Sequence, residues 1–261
     1  MGPEEVTLLV LFSILVPVTV FGSLRLNIPR RASVQGIEDP QAAEAYDRIS
    51  RMPPFELIRR GVVKRLKKYA DRGTITDVGC GPGYLLLQIA EHMPENNLVG
   101  VDVSEEMIKR ARANSASKGY GNRIQFRQAA ADHLPFDDNT QDFIVSTMSL
   151  HHWSDPQSAL KEIQRVLKPG GQMLILDLRR DARRLFLWLM WFAQNVALRT
   201  IGAGALGRIN EPTGSLLASY TEKELEEIMK KTTFNDYEIE GKLGWTYIWA
   251  KKEERPVFGL M

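Results

Sequence analysis

Residues 74–90 read TITDVGCGPGYLLLQIA, an apolar segment on each side of a glycine-rich loop. Its first residues have the β-branched and apolar character of a buried strand, and its last seven have the apolar spacing of a helix. Between them, three glycines stand at alternate positions, Gly79, Gly81 and Gly83. Glycine permits backbone conformations that other residues avoid and lets a ligand approach the main chain closely. A strand that turns into a helix through such a loop predicts a ligand site at the carboxyl end of that strand.

Strand-like and helix-like segments alternate after this loop. Strands are predicted at 74–78, 97–101, 124–128, 143–147 and 172–178. Helices are predicted between them at 84–92, 105–117 and 156–167. This alternation indicates a parallel sheet covered on both faces, and two final strands at 236–240 and 245–251 can pair as a hairpin. The predicted fold is therefore α/β, a Rossmann-like doubly wound and mostly parallel seven-stranded sheet with an antiparallel C-terminal edge.

Composition limits the classes of function that remain. The chain has 261 residues, 44% of them apolar, which is enough for one globular core with an appendage. The net charge is only +2 and comes without the block of basic residues that marks a nucleic-acid binder, so nucleic acid is not an expected partner. The single cysteine, Cys80, excludes an internal disulfide and a cysteine-rich zinc site, and it favours a reducing compartment. We expect no bound metal.

The N-terminus carries a long uncharged run. Residues 6–24 contain no charged side chain and, as a helix, would extend about 28 Å against a hydrocarbon core of about 30 Å. A cleaved signal peptide fits poorly, because Glu4 and Glu5 stand where a positive region is expected. Three arginines follow the run, at Arg25, Arg30 and Arg31. The expectation is a single-pass anchor with the main domain on the cytoplasmic side, the alternative being a helix that lies on the membrane or against the domain.

The chain accordingly divides into three parts. An N-terminal hydrophobic anchor helix is predicted within 1–26, a linker rich in proline and charge at 27–40, and the main domain at 41–261. Within that domain, 181–217 is an apolar, lid-like insertion. The oligomeric state is not predicted.

The glycine loop does not match the two common phosphate-binding patterns. A dinucleotide fold requires G-x-G-x-x-G, but counting from Gly79 the third position is Tyr84, which is too bulky for close packing under a pyrophosphate. The pattern G-x-x-x-x-G-K-[ST] does not occur in the chain. A nicotinamide dinucleotide and a nucleoside triphosphate are therefore not the expected ligands.

The sequence of the glycine loop instead resembles the first motif of a known family. The stretch DVGCGPG is similar to the first motif of the class I S-adenosylmethionine-dependent methyltransferases. Three later stretches resemble successive signatures of the branch that includes the quinone-precursor methyltransferases: VGVDVSEEMIKRA, AAADHLPFDDNTQDFIVSTMSLHHW and ALKEIQRVLKPGGQMLILDLRR. The resemblance extends from about Tyr46 to Leu178 and, more weakly, to the C-terminus. It implies S-adenosyl-L-methionine as the cofactor and methyl transfer to a small molecule as the activity.

One cofactor-binding residue also follows from position. Asp102 ends the second strand, 19 residues after Gly83, where a carboxylate can accept hydrogen bonds from both ribose hydroxyls. The alternative is a helix N-terminal acid, a role that the neighbouring Ser104 partly fills as an N-cap. The resemblance implies the remaining cofactor-binding positions, which are Tyr46, Asp77, Gly79, Cys80, Gly81, Gly83, Val103, Met107, Ala131, Asp132, His133, Ser146 and Thr147.

The resemblance also implies how these residues are used. Asp132 and its two neighbours would border the adenine, with Asp132 accepting a hydrogen bond from the adenine amino group and Met107 packed against the ring. A solvated loop acid is the alternative for Asp132. Asp77 and the glycines would surround the methionine moiety, and Ser146 with Thr147 would lie near the sulfonium. Tyr46 would cover the cofactor, although a core aromatic is nearly as good an interpretation.

Methyl transfer from a sulfonium requires an in-line nucleophile in a pocket without water, and proximity can supply most of the rate without a metal. If the acceptor loses a proton, His151 or His152 could take it, because both follow the fourth strand at the end where the cofactor is expected. The alternative is that this histidine pair only fixes the loop.

The insertion suggests the kind of acceptor. Residues 185–198 combine aromatic and aliphatic side chains next to Arg183 and Arg184, which is typical of a lid or an interfacial helix, a buried core helix being the alternative. We therefore expect a lipophilic acceptor that arrives from the membrane, such as a quinone precursor, a phenolic isoprenoid, or a fatty or phospholipid head. A tethered methyltransferase for a soluble small molecule and a non-catalytic cofactor-binding scaffold remain as other hypotheses.

Overall fold

The computed structural model describes residues 28–33, 36–70, 72–192 and 213–254. Within these ranges, seven strands form one sheet: β1 (Gly73–Val78), β2 (Asn96–Asp102), β3 (Ile124–Gln128), β4 (Gln141–Thr147), β5 (Leu167–Leu178), β6 (Asp236–Lys242) and β7 (Trp245–Lys251). Their order across the sheet is β3-β2-β1-β4-β5-β7-β6. Strands β1 to β5 are parallel, and β7 runs antiparallel to both β5 and β6. The predicted α/β fold with an antiparallel edge is confirmed.

Helices cover both faces of this sheet. Those of the described ranges are α1 (Pro40–Ser50), α2 (Pro53–Leu66), α3 (Tyr84–His92), α4 (Glu105–Ser117), α5 (Pro156–Val166), α6 (Arg184–Phe192), α7 (Thr213–Ala218) and α8 (Glu222–Met229). Apolar residues of α2, α3 and α4 pack with one face of the sheet into a first core cluster. Residues of α5 and α8 pack with the other face into a second cluster. The sheet is thus doubly wound, as the alternating sequence pattern predicts.

The starts of α1 and α8 have a local cause. Asp39 caps α1, its carboxylate accepting hydrogen bonds from two main-chain N–H groups at 2.8 and 2.9 Å. Thr221 and Glu224 form a capping box at the start of α8. A helix leaves its first N–H groups without partners inside the helix, so these side chains fix where α1 and α8 begin.

The predicted membrane anchor at residues 6–24 lies outside the described residues. Among the helices of the described ranges, none combines the length and the apolar character needed to cross a bilayer.

The predicted linker is partly packed on the domain. Arg31 donates its main-chain N–H to the carbonyl of Leu217 at 2.9 Å. Arg30 donates to the carbonyl of Ala218 at 2.6 Å, and its guanidinium lies 4.2 Å from the ring centre of Tyr220. The described residues of this N-terminal segment, 28–33 and 36–39, therefore form part of the domain surface, and contribute to the site described below.

The insertion after β5 begins with α6. Of its apolar side chains, those of Leu185, Trp188, Leu189 and Phe192 are exposed. Phe186 instead faces the protein, its ring in an edge-on contact with Trp245 at the start of β7. Most of the apolar side chains that the structure describes on α6 therefore face solvent. Residues 193–212 of the insertion lie outside the described ranges.

Candidate active site

A cavity lies at the carboxyl ends of β1, β2 and β4, where the glycine loop predicted a ligand site. It encloses about 710 Å³ when its solvent-open mouth is included. We call it the central cavity; its lining consists of Gly36, Ile37, Tyr46, Val78, Gly79, Gly81, Asp102, Val103, Met107, Ala129, Ala131, Met148, Ser149, His152 and Trp153. In open parallel sheets, this end of the strands is where ligands bind.

The glycine loop has the backbone conformation that its sequence predicts. Gly79, Gly81 and Gly83 have φ values of +76°, +51° and +84°, in the left-handed region that side chains disfavour. A Cβ atom on Gly79 would lie 2.0 Å from the hydroxyl of Ser149, so this position also lacks space for a side chain. Gly83 contacts the protein rather than the cavity, because a Cβ there would meet Ala111 at 3.2 Å. Two of the three glycines therefore open the loop to the cavity, and the third lets α3 pack closely on α4.

Asp102 holds the loop and the start of α4 together. One carboxylate oxygen accepts the main-chain N–H of Gly81 at 2.8 Å, and the other accepts that of Ser104 at 2.9 Å. Ser104 in turn caps α4 by accepting the N–H of Met107 at 3.1 Å. Burial raises the pKa of Asp102, and the two N–H groups oppose this shift. Each carboxylate oxygen has a second lone pair, so Asp102 can still accept hydrogen bonds from a ligand in the cavity.

Asp77 is the more deeply buried acid. It precedes Gly79 by two residues and is 1% exposed, and its Oδ1 has no hydrogen-bond partner. Burial, followed by the nearby charge of Asp102, raises the pKa of Asp77 to about 8. An unpaired buried polar atom is uncommon in proteins and indicates a missing partner.

Replacing Asp77 with asparagine should change how stability depends on pH. The pKa of Asp77 rises on folding from an ordinary value near 4, so its contribution to stability is complete below pH 4 and is lost as the pH rises toward 8. For one proton, the loss is at most about 1.4 kcal/mol per pH unit. Denaturant unfolding between pH 5 and 8 should show wild type losing stability relative to Asp77→Asn. Parallel pH profiles would contradict the shifted pKa.

The other predicted cofactor residues divide into three groups. Tyr46, Val103, Met107 and Ala131 line the central cavity. Cys80 and Thr147 line a second cavity on the side of the loop that faces α2, to which Tyr46 also contributes. Three do not line either cavity, namely Ser146, Asp132 and His133.

The placement of Ser146 has a simple geometric reason. Alternate residues of a strand point to opposite faces of the sheet, so Ser146 and Thr147 cannot both face the same space. The hydroxyl of Ser146 donates to the carbonyl of Val78 at 2.7 Å and is fully buried. The side chains of Asp132 and His133 are exposed on the loop after β3.

The structure separates the two predicted catalytic histidines. His151 is 1% exposed and is bound to Asp177, with its Nδ1 at 2.6 Å from one carboxylate oxygen and its main-chain N–H at 2.8 Å from the other. His152 lines the central cavity, and its ring centre lies 4.0 Å from that of His151. His152 is thus the histidine that a ligand can reach, and His151 is fixed behind it. In the described ranges, no group of three or more His, Cys, Asp or Glu residues could hold a metal ion.

Several residues of the site carry no sequence signal. Gly36 and Ile37 border the central cavity because the N-terminal segment crosses it, fixed by a hydrogen bond from the Ser104 hydroxyl to the carbonyl of Ile37 at 2.7 Å. Met148 lines both cavities with a φ of +53°, a strained conformation for a residue other than glycine. Arg59, on α2, lines the second cavity. These positions depend on tertiary structure alone.

Comparisons with known proteins agree with this geometry. Residues 76–175 match the family model described as a methyltransferase domain. The ubiquinone/menaquinone biosynthesis C-methyltransferase UbiE of Geotalea daltonii is 35% identical over 164 residues, which cover 61% of this chain and 69% of the relative. The enzyme of the same name from Geobacter sulfurreducens is 31% identical over 199 residues, covering 74% of this chain and 78% of the relative.

Solved structures show the same fold. An S-adenosyl-L-methionine-dependent methyltransferase structure from Methanococcus maripaludis has a TM-score of 0.65 at 24% identity and covers 87% of this chain and all of that one. Phosphoethanolamine N-methyltransferase 2 of Haemonchus contortus, solved with S-adenosylhomocysteine, has a TM-score of 0.63 at 18% identity and covers 83% of this chain and 58% of that one. Sequence motifs, fold and relatives agree: the chain belongs to the class I S-adenosylmethionine-dependent methyltransferases, and S-adenosyl-L-methionine is its cofactor.

Proposed function

We propose that this enzyme methylates a lipophilic small molecule, of the quinone-precursor class, at a membrane surface. The observation that carries the proposal is an exposed apolar surface at the cofactor end of the sheet. Strand β5 is parallel to β4, so α6, which follows β5, begins at the same end as the central cavity. The relatives named as ubiquinone and menaquinone C-methyltransferases support this acceptor class.

The residues around the central cavity fit the cofactor. Asp102 would accept hydrogen bonds from the ribose hydroxyls, and Met107 and Ala131 would border the adenine. The backbone of Gly79 and Gly81, which lines the central cavity, would receive the methionine moiety. Tyr46 lies between the central and second cavities and would cover the sulfonium end. The unpaired buried oxygen of Asp77 supports a cationic ligand close to the loop.

The chemistry needs few groups from the protein. The cofactor supplies an electrophilic methyl group on a sulfonium, and the cavity walls would hold an acceptor in line with it and exclude water. We propose that His152 accepts the proton that the acceptor loses when its new bond to the methyl carbon forms. His151, held by Asp177, would position the His152 ring by contact. If His152→Gln leaves the rate and its pH profile unchanged, the proton-accepting role is wrong.

The membrane contact would use two separate elements. On α6, Trp188 is 56% exposed and stacks on Phe192, and at the tip of the β6–β7 hairpin Leu243 is 72% exposed. Leu243 has a φ of +37°, where glycine or asparagine is usual, so this turn holds an apolar side chain outward at a conformational cost. The exposed side chain of Arg183 lies beside α6 and suits anionic headgroups, whereas that of Lys242, beside Leu243, pairs with Glu240 at 2.6 Å.

Tryptophan emission can locate this contact. With the full chain in vesicles that contain anionic lipid and brominated acyl chains, Trp188→Phe should reduce the quenched fraction, because Trp188 would lie at headgroup depth. Trp249→Phe is the matched control, since Trp249 is partly buried against Tyr69 and donates to Gln172. Equal losses of quenching from both substitutions would show that α6 does not meet the bilayer.

A methyl-transfer assay tests the function itself. The full chain is incubated with methyl-labelled S-adenosylmethionine and lipids extracted from the native membrane, and the labelled product is identified by mass. We expect label in an apolar, quinone-type product. Label only in water-soluble products would instead support a tethered enzyme for a soluble acceptor, and no label in either phase would support a scaffold without turnover.

A further inference from the structure

Tyr84 stands where a dinucleotide fold needs its third glycine, and the structure shows what its side chain does there. It is the first residue of α3, and its hydroxyl donates a hydrogen bond to the carboxylate of Asp47, on α1, at 2.9 Å. Burial, followed by this hydrogen bond to Asp47, raises the pKa of Tyr84 to about 12. The phenol therefore keeps its proton at neutral pH and remains a hydrogen-bond donor. A glycine at this position could not join α3 to α1.

Asp47 is the centre of a polar network between α1 and the glycine loop. It is 6% exposed, and its Oδ1 accepts hydrogen bonds from the Tyr84 hydroxyl and from the side-chain amide of Asn114, on α4, both at 2.9 Å. The other oxygen pairs with Arg51 at 2.8 Å. The amide of Asn114 also donates to the carbonyl of Pro82, inside the glycine loop, at 3.0 Å. A buried carboxylate is costly unless it is hydrogen-bonded, so these contacts fix α1 in one position against α3, α4 and the loop.

The apolar contacts of α1 are few by comparison. Neither of the two main core clusters includes a residue of α1. Its Ala45 and Ile49 instead form a small cluster with Tyr46, Met52 and Phe55, and its other buried apolar side chains are alanines, which remove little area from water. Elements with few buried apolar contacts open at the lowest cost in free energy. The position of α1 therefore depends strongly on the polar network.

This position of α1 places Tyr46 over the glycine loop. Consecutive residues of a helix point about 100° apart, so Tyr46 faces the cavities while Asp47 faces α3 and α4. The Tyr46 side chain lines both the central and the second cavity. A Cβ atom on Gly81 would lie 3.7 Å from Cε1 of the Tyr46 ring, so the ring lies close to the loop. A ligand that extends along the loop from one cavity to the other would lie against this ring.

We infer that the hydrogen bond between Tyr84 and Asp47 is a latch that holds α1, and with it the ring of Tyr46, closed over the bound cofactor. The inference rests on the proposed function, in which Tyr46 covers the sulfonium end. Tyr84 and Asp47 are positioning residues, because they act on the cofactor through Tyr46. The latch must open before S-adenosylhomocysteine leaves, so breaking it shortens the time for which the cofactor stays bound. Product release through such a movement limits turnover in many enzymes.

The test measures how fast the full chain releases S-adenosylhomocysteine. Protein loaded with the tritiated compound is mixed with an excess of the unlabelled compound, and the retained label is followed by rapid filtration. Tyr84→Phe removes only the hydroxyl, and we expect release at least tenfold faster than from wild type. Asp47→Ala should accelerate release at least as much, and adding Tyr84→Phe to it should have no further effect, because both substitutions break the same bond.

Tyr237→Phe is the matched control for Tyr84→Phe. The Tyr237 hydroxyl also donates to an acid, Glu226, at 3.2 Å, and Tyr237 lines neither cavity. We expect both variants to unfold at a lower temperature and only Tyr84→Phe to release the cofactor faster. Release from Tyr84→Phe at the wild-type rate would overturn the latch. Equally fast release from Tyr237→Phe would overturn it as well, since the effect would then be a general loss of stability.

Substitution of Tyr46 separates the latch from the proposed function on which it rests. Tyr46→Ala removes the ring and should release the cofactor as fast as Tyr84→Phe does. Release from Tyr46→Ala at the wild-type rate would overturn the placement of Tyr46 over the cofactor. Fast release from Tyr46→Ala together with wild-type release from Tyr84→Phe would overturn the latch alone.

Discussion

Replacing Gly79 with alanine is expected to lower affinity for S-adenosylmethionine at least a hundredfold. The new Cβ would lie 2.0 Å from Oγ and 2.5 Å from Cβ of Ser149, and Cβ is not the free end of a flexible side chain. Ser149 cannot easily move away, because its hydroxyl accepts a hydrogen bond from the Trp153 indole at 3.0 Å. The left-handed φ adds about 1 to 2 kcal/mol of strain. The glycine loop and the carboxyl end of β4 would then move apart, and the cavity that they form would change shape.

Gly119→Ala provides the matched control for this prediction. Gly119 follows α4 and has a φ of +79°, so alanine there suffers the same backbone strain. Nothing lies within 4 Å of the added Cβ, so the clash is absent. Calorimetric titration and thermal unfolding should show both variants losing stability and only Gly79→Ala losing the cofactor. Unchanged affinity in Gly79→Ala would show that the loop does not receive the cofactor.

Replacing Asp102 with asparagine should weaken cofactor binding at least tenfold, or about 1.4 kcal/mol. The carboxylate receives two main-chain N–H groups and, in the proposed complex, the ribose hydroxyls as well. Asparagine has an NH₂ group in place of one carboxylate oxygen. The main-chain N–H of Gly81 or of Ser104 therefore loses its hydrogen-bond acceptor, and a ribose hydroxyl loses one as well. Calorimetric titration of both proteins with S-adenosylmethionine measures the difference.

Asp142 is the matched control for Asp102. It also accepts a main-chain N–H, that of Thr74 at 2.9 Å, and it pairs with Lys168 at 2.6 Å. It lies near the start of β4, at the opposite end of the sheet from the central cavity. Asp142→Asn should therefore cost stability and leave cofactor affinity unchanged. Equal affinity in wild type and Asp102→Asn would refute the ribose-binding role.

The sequence predicted correctly the bounds of those helices whose first residues are fixed by neighbouring residues in the chain. The helices Tyr84–His92 and Glu105–Ser117 have the predicted bounds, because Gly83 and Ser104 fix where they begin. Strand β5 is longer than predicted and begins at Leu167, which pairs with Gln141 across an irregularity in the ladder. That early start depends on a neighbouring strand, so the periodicity of the segment did not show it.

The same distinction holds for the site. Gly79, Gly81 and Asp102 were found because their roles follow from the turn between a strand and a helix. Arg59 and Ile37 were not, because they reach the site only through the way that α2 and the N-terminal segment cross the sheet. Adjacent residues were hardest to separate. His151 and His152 are alike in sequence, and only the carboxylate of Asp177, on the neighbouring strand β5, decides which one is held away from the cavity.

A crystal structure of the full chain with S-adenosylhomocysteine will show where the cofactor binds. We expect electron density for adenosine in the central cavity, with both ribose hydroxyls within hydrogen-bond distance of the Asp102 carboxylate. Adenosine density elsewhere on the protein, or a central cavity that remains empty at saturating ligand, would contradict it.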